Sequence, residues 1–315
     1  MGLRLAFLGT PDFAAPSLEK LVESGHQVAG VWTQPDRPKG RGREMSVSPV
    51  KQCAVRLGLP VHQPEKIRAP EVVEAFRALA PAAMVVVGYG QIIPKSILAI
   101  PPLGIVNVHA SLLPQYRGAA PIQWAIARGE TRTGVTTMRI DEGLDTGDLL
   151  LEAGTAIGAE ETAIELGGRL AAMGAALLVD TLIGLERGTI APRKQDPALA
   201  TYAPILKKED GAIDWSRPAR VIHDRLRGFQ PWPGAYTRFR GQTLHVCRAR
   251  PLGESLPGPF GALQVISRRL LANCGEGTVL ELLEVQLEGR RRITAAEFVN
   301  GQRPSENETL GVEPA

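Results

Sequence analysis

The chain has 315 residues, of which 44% are hydrophobic, and its formal net charge is only +3. This length and apolar content suit two globular domains, each with its own core, and exclude a largely disordered or low-complexity protein. The three cysteines, Cys53, Cys247 and Cys274, form no CxxC pair and cannot all pair with one another, which favours a reducing cytoplasm. No run approaches the roughly 18 uninterrupted apolar residues of a membrane span, so we expect a cytoplasmic protein with no membrane association.

The first part of the chain alternates between short apolar runs, rich in β-branched residues, and segments with helical periodicity. Strands connected by helices pair in parallel through crossovers, and such sheets bind ligands at the carboxyl ends of their strands. We therefore predict an α/β domain with a doubly wound, mainly parallel, Rossmann-like sheet. The predicted strands are 3–8, 28–32, 84–87 and 105–108, and the predicted helices are 16–23 and 71–79.

The pattern of residue types changes after a long stretch at 162–186 with helical apolar periodicity, which we predict to be a helix. Prolines then interrupt the chain, as in an extended linker. The last part holds a short helix at 219–227 and several short strands separated by glycines, a pattern typical of a small antiparallel β-barrel of OB-like type. These strands are 235–240, 243–250, 261–266, 278–286 and 291–295, before a polar tail from 301 that we expect to be frayed. The predicted organisation is a catalytic domain at 1–190, a linker at 191–206 and a C-terminal domain at 207–315.

An amide and an imidazole stand two residues apart on one predicted apolar strand. Strand side chains alternate with period two, so Asn107 and His109 lie on one face. A buried strand has no structural need for this pair, and burying it requires hydrogen-bond partners for both groups. Two core residues satisfied by the backbone remain an alternative interpretation of this pair alone.

A second polar element, MRIDEGLDTGD at 138–148, carries Asp145 in a glycine-containing turn. Acidic residues are common in turns, so this segment by itself is also compatible with an ordinary loop. Combined, a carboxylate, an imidazole and a carboxamide supply a base, a proton relay and an oxyanion stabiliser.

The block HASLLPQYRGAAPIQWAI at 109–126 resembles the folate-dependent formyltransferases, as do the Asn-x-His pattern before it and GLDTGD after it. The opening LGTPDFAAPSLEKL, together with TQPDRPKGRGR and SPVK, is similar to those members that formylate methionyl-tRNA, and the similarity extends from Leu8 to about Trp232. The resemblance implies transfer of the formyl group of 10-formyltetrahydrofolate, the co-substrate, to the free amino group of initiator methionyl-tRNA, for translation initiation. Carried over onto this chain, Asn107, His109 and Asp145 match the catalytic residues of the family.

Two turns are candidates for the folate site because both lie at the predicted carboxyl edge of the sheet. The first is Gly88, Tyr89 and Gly90, whose glycines let the backbone approach a flat ring. The second is Ser111, Leu112, Leu113 and Pro114. The GYG turn lacks the third glycine of a dinucleotide fingerprint, which argues against a nicotinamide site. The histidines show no ligand spacing with cysteines or carboxylates, so we predict no metal.

The loop after the second strand and the start of the C-terminal domain are both basic, and residues 201–250 hold ten Lys or Arg against four Asp or Glu. An isolated charge run of this kind is usually a solvated surface. Two basic patches can also grip one polyanion, and we expect these to bind tRNA, with Arg41 at the end of the acceptor stem as the family implies. The candidate contacts are Arg37, Lys39, Arg41, Arg43, Lys207 and Lys208.

Three other functions compete with this interpretation. The same chemistry formylates glycinamide ribonucleotide or a nucleotide-linked amino sugar, but the basic loop and basic C-terminal part argue against a small acceptor. Hydrolysis of formyl-folate by water needs no tRNA. A non-catalytic RNA-binding module explains the basic patches and leaves Asn107, His109 and Asp145 without a role. No obligate protein partner is implied by any of these.

Overall fold

The computed structural model of the protein describes residues 2–39, 44–253, 256–305 and 308–311. The chain divides into two compact units. The first comprises Met1–Pro121, Arg132–Ala156 and Leu166–Ala203, and the second comprises Ile122–Thr131, Ile157–Glu165 and Pro204–Ala315.

The first unit is organised around a seven-stranded sheet. The strands up to residue 203 are β1 (Arg4–Gly9), β2 (Gln27–Trp32), β3 (Arg37–Lys39), β4 (Glu44–Ser46), β5 (Val61–His62), β6 (Ala83–Val87), β7 (Ile105–His109), β8 (Arg117–Gly118), β9 (Arg132–Arg139), β10 (Leu149–Ala156) and β11 (Tyr202–Ala203). The sheet order is β10-β9-β7-β6-β1-β2-β5, and β3–β4 and β8–β11 form two short ladders. Strands β5, β2, β1, β6 and β7 are parallel, whereas β9 and β10 are antiparallel. The predicted doubly wound, mainly parallel α/β sheet is therefore confirmed.

Helices separate the strands in sequence, as the periodicity predicts. They are α1 (Ala15–Glu23), α2 (Pro49–Arg56), α3 (Pro70–Leu79), α4 (Lys95–Leu98), α5 (Pro121–Ala127) and α6 (Ala163–Glu186). Proline occupies one of the first two positions of α1, α2 and α3, where its missing N–H costs no helical hydrogen bond. Because the crossovers are helical, the carboxyl ends of β1, β2, β6 and β7 share one edge of the sheet.

The long helix α6 covers the sheet through a face of leucines and one close contact. Leu166, Leu170, Leu178 and Leu182 are fully buried. A Cβ at Gly174 would lie 2.8 Å from Cγ1 of Val108, so glycine permits the approach of the helix to the sheet. By length and composition alone this helix is apolar enough to cross a membrane, but 44% of its most apolar window is buried inside the protein. Packing against a sheet accounts for that apolarity.

The second unit contains a six-stranded antiparallel sheet with two further helices. Its strands follow the path β12-β13-β16-β15-β14, and β17 pairs with β16, which confirms the predicted antiparallel class. Phe239 and Phe298 meet edge to face in its core, with ring centroids 5.1 Å apart. The elements are α7 (Ala219–Gly228), β12 (Ala235–Phe239), β13 (Gln242–Leu252), β14 (Leu263–Ile266), β15 (Arg269–Asn273), β16 (Val279–Leu287), β17 (Ile293–Thr294) and α8 (Ala295–Gln302).

Two expectations for the end of the chain were wrong. Only Ile293–Thr294 of the segment predicted as a strand is extended, because Thr294 caps α8 and its hydroxyl accepts a hydrogen bond from the backbone N–H of Glu297. The tail from 301 is ordered where it is described, since Leu310 is buried and Thr309 bridges to Ala262. The ion pair between Arg240 and Glu308 also holds this segment.

Candidate active site

Strand β7 presents an amide and an imidazole at its carboxyl end. Asn107 lies opposite Met138 and His109 opposite Thr136 in the ladder with β9, so the two polar side chains share one face. His109 is buried, with 6% of its surface exposed, and Asn107 is half-buried. Within the described part of the chain, nothing hydrogen-bonds the Asn107 carboxamide, which leaves it available to a ligand.

The two ring nitrogens of His109 have different partners. Nε2 lies 2.9 Å from the backbone carbonyl of Tyr116, and a carbonyl only accepts, so Nε2 donates this hydrogen bond. Nδ1 faces Oδ2 of Asp145 at 3.7 Å. Because Nε2 is occupied by this carbonyl, Nδ1 is the ring nitrogen that faces the carboxylate.

Asp145 is held in an unfavourable backbone conformation beside that imidazole. Its φ of 52° lies in the left-handed region, which an Asp tolerates better than most residues with a Cβ. Oδ2 accepts a hydrogen bond of 2.8 Å from the backbone N–H of Gly118. The side-chain amide of Gln195 donates to the carbonyls of Asp145 and Gly147 at 2.9 and 2.8 Å. Gln195 was not predicted as a site residue, because it lies in the segment predicted to be a linker.

The tripeptide Tyr116, Arg117 and Gly118 contacts each part of this arrangement. Tyr116 accepts from His109, Arg117 donates from Nε and Nη2 to the Gln195 side-chain oxygen, and Gly118 donates to Asp145. A side chain at Gly118 is excluded, since φ is 116° and a Cβ would lie 2.6 Å from the Ala203 carbonyl oxygen. The RG pair within the RGAAPI segment therefore has a geometric role that spacing alone does not reveal.

The predicted SLLP turn is fixed from beneath by Thr136 of β9. The Thr136 hydroxyl donates to the Ser111 carbonyl at 2.7 Å and accepts from the Leu113 N–H at 3.1 Å. Ser111 is buried with its hydroxyl bonded to the Gln115 carbonyl, and Leu113 is buried as well. Leu112 and Pro114 are partly exposed, so the turn offers these two side chains to a ligand.

The predicted GYG turn offers backbone and not a tyrosine ring. Gly88 and Gly90 are exposed and have positive φ, whereas Tyr89 is 1% exposed and packs in the core between sheet and helices. Burial raises the pKa of Tyr89 to about 12. The Tyr89 carbonyl accepts hydrogen bonds from the side chains of Thr10 and Gln34, which ties the loops after β1, β2 and β6 together.

The predicted basic loop after β2 is only partly described. Arg37 is exposed on β3, which pairs with β4. The backbone of Lys39 lies in the same ladder, whereas Arg41 and Arg43 lie outside the described residues. Lys51 forms an ion pair with Asp36. The hydrogen bond from Lys51, and to a smaller extent the one from Gln63, holds the pKa of Asp36 below its usual value.

Much of the positive charge after residue 206 is paired with carboxylates. Glu281 binds both Arg250 and Arg269, and these guanidinium groups hold the pKa of Glu281 below its usual range. Lys207 and Lys208 are exposed, and neither forms an ion pair with a described residue. The charges of these two lysines are therefore available for the predicted contact with phosphates.

In the described ranges, no group of three or more His, Cys, Asp or Glu side chains is arranged to hold a metal ion.

Both parts of the chain are similar to known proteins. The formyl transferase model matches residues 3–182, and the model of the formyl transferase C-terminal domain matches residues 205–303. A Solibacter usitatus protein named methionyl-tRNA formyltransferase is 63% identical over 309 residues, which cover 98% of this chain and 99% of that protein. A Koribacter versatilis protein of the same name is 56% identical and covers 98% of each chain.

Solved structures share the fold at low identity. The sugar 3N-formyl transferase WlaRD, crystallised in the presence of dTDP and 5-N-formyl-THF, aligns with a TM-score of 0.66 at 16% identity, covering 92% of this chain and 100% of that one. Both domain models and the near full-length identities lead to one conclusion. The chain belongs to the formyl transferase family.

Proposed function

We propose that this protein transfers the formyl group of 10-formyltetrahydrofolate to the free amino group of methionyl initiator tRNA, in the cytoplasm, for translation initiation. The observation that carries the proposal is Nδ1 of His109 facing Oδ2 of Asp145 at 3.7 Å, beside an Asn107 carboxamide that no described residue engages. The acceptor follows from relatives that are 63% and 56% identical over nearly the whole chain and bear the name methionyl-tRNA formyltransferase.

Formyl transfer to an α-amino group does not require a strong base. An α-amino group has a pKa of about 7.7 to 8.0, so a useful fraction is neutral in the cytoplasm. Its nitrogen attacks the formyl carbon, and a tetrahedral oxyanion forms. The bond from that carbon to N10 of the folate then breaks, and the proton lost by the amine ends on N10. The products are a formyl amide and tetrahydrofolate.

Asn107 is positioned to stabilise the oxyanion. A carboxamide donor that strengthens its hydrogen bond as charge develops contributes to the transition state and not to substrate binding. Loss of one such donor in other enzymes costs on the order of 3 kcal/mol.

His109 and Asp145 are positioned to carry the proton. Nε2 of His109 is held by the Tyr116 carbonyl, so the proton from the amine is received at Nδ1. The resulting imidazolium lies against the Asp145 carboxylate, whose charge stabilises it. The same nitrogen returns the proton to the departing folate nitrogen.

The folate is assigned to the two turns that the sequence predicts for it. Gly88 and Gly90 are exposed and can present backbone, and Leu112 and Pro114 are partly exposed and can present apolar side chains. Ordered backbone with a few apolar contacts suits a flat pterin ring. The bound folate supplies the activated formyl group, and these residues orient it.

The phosphates of the tRNA are assigned to the exposed basic residues. Arg37, Lys207 and Lys208 are exposed at the positions predicted for this contact. Phosphate binding by lysine and arginine releases counterions, so the affinity should fall steeply with salt.

The deciding experiment supplies 10-formyltetrahydrofolate, labelled in the formyl group, with methionyl initiator tRNA, methionyl elongator tRNA or a nucleotide-linked amino sugar. We expect label on the methionine of the initiator tRNA and far less on the other two acceptors. Transfer to the sugar, or release of labelled formate without an amide product, would overturn the proposal.

A further inference from the structure

One carboxamide from outside the loop binds two backbone carbonyls of the loop that carries Asp145. The Gln195 side-chain amide donates both of its hydrogens, to the carbonyls of Asp145 and Gly147 at 2.9 and 2.8 Å. These carbonyls flank Thr146 on the two sides of the turn. A single side chain therefore fixes the backbone where Asp145 adopts its left-handed conformation.

The orientation of that carboxamide is in turn set by a buried arginine. Arg117 is 5% exposed and donates from Nε and Nη2 to the Gln195 side-chain oxygen at 3.1 and 2.7 Å. With two donors on its oxygen side and two acceptors on its nitrogen side, the amide has only one orientation that forms these bonds. A flipped amide would bring donors against donors and acceptors against acceptors.

The same segment also orients the carboxylate that faces His109. Gly118, the residue after Arg117, donates its N–H to Oδ2 of Asp145 at 2.8 Å. Asp145 is thus held twice, through its main chain by Gln195 and through its side chain by Gly118. A left-handed backbone at a residue with a Cβ persists only where surrounding contacts impose it.

We propose that Gln195, oriented by Arg117, is a positioning residue that keeps the Asp145 carboxylate against His109 during formyl transfer. The expected loss of kcat rests on the proposed function, whereas the expected change in the backbone of the Asp145 loop does not. Both polar atoms of the Gln195 side chain bind protein groups, so its loss should misplace Asp145 without removing a reacting group. Misplacement of a reacting group by about 1 Å can lower turnover on the order of a hundredfold.

Two substitutions separate the contacts of Gln195. Gln195→Glu keeps an oxygen that accepts from Arg117 but puts a second oxygen where the NH2 group donated to the loop. Gln195→Met removes all four side-chain hydrogen bonds and keeps a side chain of similar length. We expect kcat to fall at least tenfold in both, with the KM values for folate and tRNA within about threefold of the parent. Arg193→Met is the matched control, since it removes an exposed ion pair with Glu152 on the same segment and should leave kcat unchanged.

A double-variant comparison excludes a merely structural role. If Gln195 acts through Asp145, Gln195→Met should lower kcat less than twofold in an Asp145→Asn background, because residues that act as one unit are not additive. Equal losses in both backgrounds, or unchanged kcat in both Gln195 variants of an active protein, would overturn the proposal.

Hydrogen exchange of the unliganded full chain tests the positioning without any reaction. Amides at 143–148 should exchange faster in Gln195→Met than in the parent and in Arg193→Met, and equal rates would overturn the proposal. A parent protein that makes no formyl-methionine would refute the proposed function, while the exchange result would still decide whether Gln195 holds the loop.

Discussion

Replacing Asp145 with asparagine removes one charge and almost nothing else. Asn is well tolerated at a φ of 52°, and its side-chain oxygen still accepts from the Gly118 N–H. The same oxygen position faces Nδ1 of His109, so the variant presents a neutral amide oxygen there in place of a carboxylate. The variant should therefore fold normally while the imidazolium loses its partner.

The size of the effect follows from the distance between the two groups. Unit charges 3.7 Å apart attract by roughly 4 kcal/mol at an effective dielectric constant of 20. Because 15% of the Asp145 side chain is exposed, solvent screens part of this attraction, and we take about 2 to 3 kcal/mol as effective. That corresponds to a fall in kcat of about 30- to 150-fold.

The assay is steady-state formylation of methionyl initiator tRNA, with thermal unfolding as the control for folding. The charge pair forms only as the proton moves, so kcat should fall while both KM values stay within about threefold. A decrease in kcat of less than threefold in a folded variant would refute the electrostatic role of Asp145. A rise in KM alone would assign this residue to binding.

The remaining predictions concern tRNA and stability. Lys207→Ala should weaken tRNA binding, leave folate binding unchanged and reduce the slope of log affinity against log salt by about 1, and an unchanged slope would remove Lys207 from the phosphate contacts. Arg269 and Arg250 lower the pKa of Glu281, so their stabilisation is present above the unfolded value of about 4.3 and lost as pH falls below it. Urea unfolding from pH 7 to 3 should show a shallower loss of stability in Glu281→Gln than in the parent; parallel profiles would contradict this.

Strands β1, β2, β6 and β7 were predictable because they are continuous apolar runs, whereas β5, β9 and β10 were not among the predicted strands. Residues 84–87 and 105–108 appear within one residue of strands Ala83–Val87 and Ile105–His109. Strand Arg269–Asn273 was missed, since it is short and begins with a charged residue and ends with an amide. Its place in the sheet depends on pairing with β16, which no local pattern reveals.

The site residues also divide into those predictable from a local pattern and those placed by distant contacts. Alternation along one strand is local, so the shared face of Asn107 and His109 could be predicted from the sequence. Gln195 contacts Asp145 across 50 residues, and its segment has the proline content of a linker. The glycines flanking Tyr89 predicted a turn after β6 with accessible backbone, and Gly88 and Gly90 are exposed, but burial of the Tyr89 ring depends on the whole core.

The central claim is that Asn107, His109 and Asp145 form one reacting centre, separate from the surface that binds tRNA. Its most direct test is the single-turnover rate of formyl transfer in His109→Ala, measured with both substrates bound, beside the Kd for initiator tRNA. Loss of a proton relay predicts a rate at least about a hundredfold lower. The Kd for initiator tRNA should stay within about twofold of the parent. Equal losses in rate and affinity, or a rate that does not change, would contradict the central claim.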